Sequence, residues 1–170
     1  EKDIIVKIKS QNNYGAGSAR NLGIKYANFR YIAFLDADDL WRPEKLERQL
    51  QFMVEKRAAL SFSAYEVITE SGELVRECIS VPETITKNQY LGNTIIGCLT
   101  VMIDKTKFSQ EIVMPNLRSS HDVALWVDLL SEIGVGFGYQ KVLASYRLVG
   151  TSNTSNKFIG QVLLPFLDQQ

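Results

Sequence analysis

Apolar positions along this 170-residue chain change their spacing several times, and each change marks an element. The run Ile4-Ile5-Val6-Lys7-Ile8 is short and β-branched, which predicts a strand. Residues 12–18 form a turn-rich loop, and residues 19–27 carry Leu22, Ile24 and Ala27 at helical spacing. Tyr31-Ile32-Ala33-Phe34-Leu35 is the most apolar strand-like run, expected at the centre of a sheet, and Asp36-Ala37-Asp38-Asp39 ends it. A second helix follows. Pro43 suits its first turn, Glu44 and Glu47 suit its dipole, and Leu46, Leu50 and Met53 are expected to line its buried face.

Beyond residue 58 the pattern alternates instead. Residues 59–67 and 73–79, joined through Glu70-Ser71-Gly72, predict an antiparallel hairpin. Residues 86–91 predict a short helix, and 95–103 a strand in which Gly97 suggests a close backbone approach. Ser119-Ser120-His121-Asp122 opens another helix, with Leu125, Trp126, Leu129, Leu130 and Ile133 on its buried side. Residues 142–148 predict a last strand, 151–157 a polar loop and 158–167 a short apolar tail. Strand, glycine loop, helix, strand, acidic turn and helix, followed by antiparallel segments, predict a mixed α/β fold. No repeat or linker interrupts it, so residues 1–170 read as one domain.

Composition narrows the partners. Lys plus Arg equals Asp plus Glu at 19 each, so no net field attracts nucleic acid. Two widely spaced thiols, Cys78 and Cys98, and a single histidine argue against a zinc site and fit reduced cysteines in a cytosolic protein. The apolar stretches fall short of the ~20 residues of a spanning helix. The first residue is Glu1, which leaves open a signal, anchor or subdomain upstream.

The candidate chemistry lies in the acidic turn. Side chains alternate along a strand, so Asp36 and Asp38 can share one face at its carboxyl end. Carboxylates held together repel unless a cation or strong donors compensate. Hard divalent cations take such ligands together with substrate phosphates, and strand carboxyl ends are where open α/β sheets bind ligands. A helix cap and turn is the plainer alternative. An EF-hand is excluded by Trp41 at its glycine position, and an aspartate nucleophile of the phosphatase kind lacks its accompanying base, acid and phosphate donors.

Gly15-Ala16-Gly17-Ser18-Ala19-Arg20 invites a dinucleotide-loop reading, which Arg20 at the third glycine position rejects. Gly15 and Gly17 then permit a tight turn, while Arg20 is placed to meet an anionic ligand or to orient an aspartate of the acidic turn. Asp122 is either a helix-dipole partner or a general base, and His121 beside it reads as a rim residue. Tyr146-Arg147 reads as a strand-end ion-pair pair before it reads as a phosphate donor.

In order and spacing these residues resemble the GT-A glycosyltransferases of family 2, over about residues 6–156. The resemblance rests on Asn13-Tyr14-Gly15-Ala16-Gly17-Ser18-Ala19-Arg20-Asn21-Leu22-Gly23, on Phe34-Leu35-Asp36-Ala37-Asp38-Asp39, on Trp41-Arg42-Pro43-Glu44-Lys45-Leu46, on His121-Asp122-Val123-Ala124-Leu125-Trp126 and on Tyr146-Arg147. It implies a GT-A-like, Rossmann-like three-layer mixed sheet flanked by helices and missing its first β-α-β elements, since the acidic turn that holds the nucleotide base has no counterpart here. It further implies an inverting, metal-dependent transferase of bacterial surface polysaccharide synthesis, inactive as this fragment alone. Its expected partners are a nucleotide-sugar donor, a UDP-sugar first, and a saccharide or lipid-linked acceptor, at the cytoplasmic face of the membrane.

By the same resemblance Asp122 would be the catalytic base, and Asp38 and Asp36 would hold Mn²⁺ or Mg²⁺. Asp36, Arg20, Asn13 and Gly15 would contact the donor, and Asp39, His121, Trp126 and Arg147 would be acceptor-side candidates. A diphosphate beside two carboxylates meets like-charge contacts of roughly 4 kcal/mol each at an effective dielectric of 20, which a divalent ion reverses. Two departures stand out. Val149 occupies a position where relatives carry a metal-ligating histidine, and His121 replaces the acid that usually precedes the base. A binding or catalytically silent module and a nucleotidyltransferase are the alternatives, the latter needing no base at Asp122.

Overall fold

Two long apolar strands, β3 (Leu60–Ile68) and β7 (Val135–Arg147), run parallel through the middle of the sheet, in a computed structural model that describes residues 6–117 and 119–149. β3 is buried along most of its length, as expected of a strand covered on both faces. β1 (Tyr31–Ala33) pairs antiparallel with β6 (Met102–Asp104), β6 pairs with β3, and β2 (Leu40–Trp41) lies on the other flank of β7. The order is therefore β1-β6-β3-β7-β2, with β4 (Leu74–Ile79) on β3 and β5 (Thr84–Thr86) on β7.

Neighbouring residues divide between two faces, as the pleat requires. Ile32, Leu60, Phe62 and Ile103 join the large core beneath helices α3 (Lys87–Gly92) and α4 (His121–Ile133). Tyr31, Ala33, Met102 and Phe137 face the opposite way and pack with Met53 of α2 (Lys45–Lys56). Helix, sheet and helix thus form three layers, the mixed α/β arrangement expected from the residue pattern. The hairpin is also as expected, closed by Thr69 N–H to Glu73 O at 2.8 Å and by Gly72 at φ 91°.

Several elements differ from their sequence expectations. β1 is shorter than the apolar run and stands at the end of the described sheet, not its centre. Residues 6–8 form no strand, and Val6 and Ile8 are 76% and 89% exposed; the rest of the expected first strand, like the loop and tail of 151–167, lies outside the described residues. Residues 95–103 are not one strand. Thr100 turns back to Gly97, its N–H and hydroxyl both donating to Gly97 O at 2.9 and 2.6 Å, so a 3-10 turn (Cys98–Thr100) precedes β6.

β7 begins seven residues earlier than the apolar pattern suggests. Gly136 and Gly138 hide it. A Cβ on Gly138 would lie 1.9 Å from Pro82 O, and one on Gly136 2.9 Å from Leu60 Cδ2, so close approach demands residues that read as loop. α2 also turns a different face inward. Lys45, Gln49 and Met53 are buried while Leu46 and Leu50 are exposed. The polar pair is held inside by Gln49 Nε2 donating to Ser61 Oγ at 3.0 Å and Thr100 O at 2.8 Å, with Lys45 Nζ donating to Gln49 Oε1 and to Thr100 O at 3.3 Å.

Candidate functional site

The acidic turn is fixed from below by the end of β7. Asp39 N–H donates to Asp36 O at 3.2 Å, closing the turn, and the Asp39 side chain, only 6% exposed, accepts the Arg147 backbone N–H at 3.0 Å. The Arg147 guanidinium donates to Asp38 O at 2.8 Å, to Glu70 O at 2.8 Å and to Thr69 O at 3.3 Å. One arginine thereby ties the turn to the hairpin tip. Burial pushes the Asp39 carboxyl up to about 7; the Arg147 N–H opposes this, and Asp38 and Asp36 add to it. Asp38 itself is exposed, and Asp36 is half-buried.

Above the turn stands α1 (Ala16–Tyr26). Asn13 Oδ1 accepts the Gly15 N–H at 3.1 Å, and Gly15 takes φ 89°, a left-handed value that suits glycine at the start of the helix. Asn13 and Gly15 thus shape the loop, both exposed. Arg20, one turn into α1, spreads its guanidinium between two elements. Nε donates to Asp36 Oδ1 at 3.0 Å and Nη2 to Asp36 Oδ2, while Nη1 meets His121 Nε2 at 2.6 Å. Burial works most strongly against the Arg20 cation, but the Asp36 hydrogen bonds together with the nearby Asp36 and Asp122 charges outweigh it, so its pKa rises above the ordinary value.

α4 brings the third group. Its N-cap Ser120 adopts φ 59° without a side-chain cap, and Asp122 sits half-buried in the first turn. Tyr90, wholly buried, and Cys98, 7% exposed, both feel the Asp122 charge; burial first of all holds their hydroxyl and thiol protonated well above ordinary values. Trp126, one turn after Asp122, is 0% exposed and packs edge-to-face on Phe34 at 5.7 Å. It belongs to the core and not to an open acceptor face. His121 is half-buried and hydrogen-bonded, not a rim residue.

The structure therefore gathers Arg20, Asp36, His121 and Asp122 at one end of the sheet. Asp38 and Asp39 stand beside Asp36, with Arg147 behind the turn. A groove of about 530 Å³ between α1 and β1 reaches Arg20 and Asp36. For a divalent cation the donor chemistry fits, because the exposed Asp38 carboxylate is a hard oxygen ligand with room for phosphate oxygens to complete the shell. Both Asp36 oxygens are engaged by Arg20, and no group of three or more metal-ligating side chains occurs among the described residues. Sequence reasoning foresaw Arg20 near the acidic turn but missed its contact with His121. The signal was the lone histidine next to Asp122.

Residues 1–107 match the sequence model of the family described as Glycosyl transferase family 2. A Bacillus subtilis (strain 168) protein named for teichuronic acid biosynthesis, the glycosyltransferase TuaG, is 46% identical over 87% of this chain and 58% of its own length. The Escherichia coli UDP-Glc:alpha-D-GlcNAc-diphosphoundecaprenol beta-1,3-glucosyltransferase WfgD is 39% identical over 85% of this chain and 56% of its own. Among solved structures, S. aureus TarS 1-349 in complex with UDP-GlcNAc superposes with a TM-score of 0.63 at 16% identity, covering 94% of this chain and 49% of that one. That likeness shows the GT-A-like fold. The chain spans a little over half the length of these curated relatives. No helix among the described residues is long and apolar enough to cross a membrane.

Proposed function

The chain belongs to glycosyl transferase family 2, and on that premise we propose that it is one partial domain, residues 1–170, of an inverting glycosyltransferase. The protein that carries it would move a sugar from a nucleotide-sugar donor to an acceptor hydroxyl. The observation that carries this reading is the convergence of Asp36, Arg20 and the start of α4 beside the exposed Asp38. Donor-side and acceptor-side candidates would then stand at one end of the sheet.

In this mechanism Asp122 accepts the proton of the acceptor hydroxyl as its oxygen bonds to the anomeric carbon. The bond from that carbon to the diphosphate oxygen breaks on the opposite face, and the nucleoside diphosphate departs with the electron pair. A general base must come within reach of the acceptor hydroxyl, and Asp122 stands half-buried in the first turn of α4. Arg20 and Asp36 would orient the donor, with Asn13 and Gly15 shaping the loop beside it. Mn²⁺ or Mg²⁺ bound by Asp38 and the diphosphate would neutralise charge on the leaving group; Asp36 would join as a ligand on release of an Arg20 contact. Asp39, His121 and Arg147 support the turn and the helix start from the acceptor side.

The curated relatives support a setting in bacterial surface polysaccharide synthesis, and one of them is named for a UDP-glucose donor and an undecaprenol-linked acceptor. We extend both to this protein: a UDP-sugar donor and a lipid-linked saccharide, met at the cytoplasmic face by peripheral association. Because the chain spans little more than half of those relatives, the isolated 170 residues are expected to be inactive. The test supplies the full-length protein with Mn²⁺, UDP-glucose or UDP-GlcNAc, and a diphosphoundecaprenol-linked GlcNAc. Release of UDP with a new β linkage is the expected result. Pyrophosphate release instead would mark a nucleotidyltransferase and overturn the reading.

A further inference from the structure

We propose that His121, as a neutral imidazole carrying its proton on Nδ1, is a positioning residue that holds Arg20, and through it Asp36, against the start of α4. A guanidinium has five donors and no acceptor. Arg20 Nη1 lies 2.6 Å from His121 Nε2, so Nε2 must be the acceptor and the ring proton must reside on Nδ1. A second proton on the ring would leave two cations facing each other across that distance. The neutral Nδ1–H form is therefore selected by the neighbour and not by solvent.

Three further observations make this a built contact. Arg20 is oriented at its other edge by both Asp36 oxygens, so each of its three nitrogens engages one of two elements. The imidazole packs closely on Gly17, where a Cβ would come within 3.0 Å of Cγ and 3.2 Å of Cδ2, so any larger residue would push the ring by a few tenths of an ångström. The Nδ1 atom is buried without a partner, so an N–H there goes unsatisfied, a cost that the Arg20 contact has to offset. Its place follows from the Arg20 contact alone. The result is a latch of Gly17, His121, Arg20 and Asp36 that fixes the separation between the acidic turn and Asp122.

This deepens the glycosyltransferase reading and rests on it for the meaning of that separation. The tautomer does not. His121 is the single histidine of these 170 residues, and in the full-length protein its imidazole signals are identified by their loss in His121→Gln. In the ¹⁵N-labelled full-length protein at pH 7.5, long-range ¹H–¹⁵N correlation should show a pyrrole-type Nδ1 and a pyridine-type Nε2 for this ring, the reverse of the tautomer that prevails in free histidine. Arg20→Met should shift the ring toward the ordinary Nε2–H form. An Nε2–H or doubly protonated ring in the wild type would overturn the proposal, as would an unchanged tautomer in Arg20→Met.

A second arm tests positioning in the full-length protein, using UDP with Mn²⁺ as the probe. His121→Leu should weaken UDP binding about tenfold, and His121→Gln, which restores an acceptor oxygen, should recover to within about threefold. Equal affinities in the two variants would overturn the positioning role. A wild type that fails to bind UDP at all would instead count against the glycosyltransferase reading, leaving the tautomer to decide the latch.

Discussion

Two polar centres in this molecule are built from similar groups and do opposite things. Under α2, Lys45, Gln49, Ser61 and the Thr100 carbonyl form a closed network with no accessible edge, and Lys45 is 0% exposed. Beside the acidic turn, Arg20, Asp36, His121 and Asp122 are only part-buried, and Arg20 and Asp36 line a groove. Burial pushes the Lys45 ammonium down to about 7, although two acceptor oxygens and the Trp41 ring 5.1 Å away favour the cation. A perturbed group in a sealed network fixes which face of a helix is inside. The cluster that can meet a substrate keeps one side open.

Substitutions at four positions test that contrast. Asp122→Asn in the full-length protein should lower sugar transfer by about 10²–10⁴-fold, the range of general-base catalysis, with little change in melting temperature. The amide is nearly isosteric but takes no proton. If Asp122 were only a helix cap, Asn would serve almost as well, and a rate within a few-fold of wild type would show it.

Lys45→Met should act on stability and its pH dependence. Between about 7 and 10.5 the unfolded chain keeps a proton on Lys45 that the folded chain gives up, so stability rises with pH across this window. Urea unfolding at pH 7 and 9.5 should show the wild type gaining about 2–3 kcal/mol relative to the variant across that interval. A slope unaltered by the substitution would mean that the buried amine keeps its ordinary affinity for protons.

Arg147→Ala should cost about 1–2 kcal/mol, because the carbonyls of Asp38, Glu70 and Thr69 lose their donor. Arg147→Lys should recover only part of it, since an ammonium lacks the planar fork. Chemical denaturation checks both. Leu46→Glu should stay within about 0.5 kcal/mol of wild type, its side chain being exposed despite its apolar type. A loss of several kcal/mol there would show that α2 buries its leucine face after all.

The same contrast explains what the sequence made legible. The acidic turn, the hairpin and α4 announced themselves through local signals: an apolar run ending in aspartates, a Glu-Ser-Gly turn, and apolar residues at helical spacing after Ser119-Ser120. What failed depended on partners distant in the chain. α2 buries Lys45 and Gln49 because Thr100 O and Ser61 Oγ wait for them, which no helical periodicity reveals. The first half of β7 reads as loop because Gly136 and Gly138 are required by Leu60 and Pro82. In the site, Arg20 was legible as a partner of an acidic group, whereas its bond to His121 spans 101 positions. Trp126 looked like part of an acceptor face and is core, its spacing from Asp122 being the same for either role.

The central claim is that the open cluster binds the nucleotide and the sealed one does not. Calorimetric titration of UDP into the full-length protein, with and without Mn²⁺, tests it side by side in Asp38→Ala and Lys45→Met. Asp38→Ala should lose the Mn²⁺-dependent part of the UDP affinity, at least about tenfold by analogy with loss of a charged ligand partner, while Lys45→Met stays within about twofold of wild type. The reverse pattern, with Asp38→Ala binding as the wild type does and Lys45→Met failing, would contradict the account.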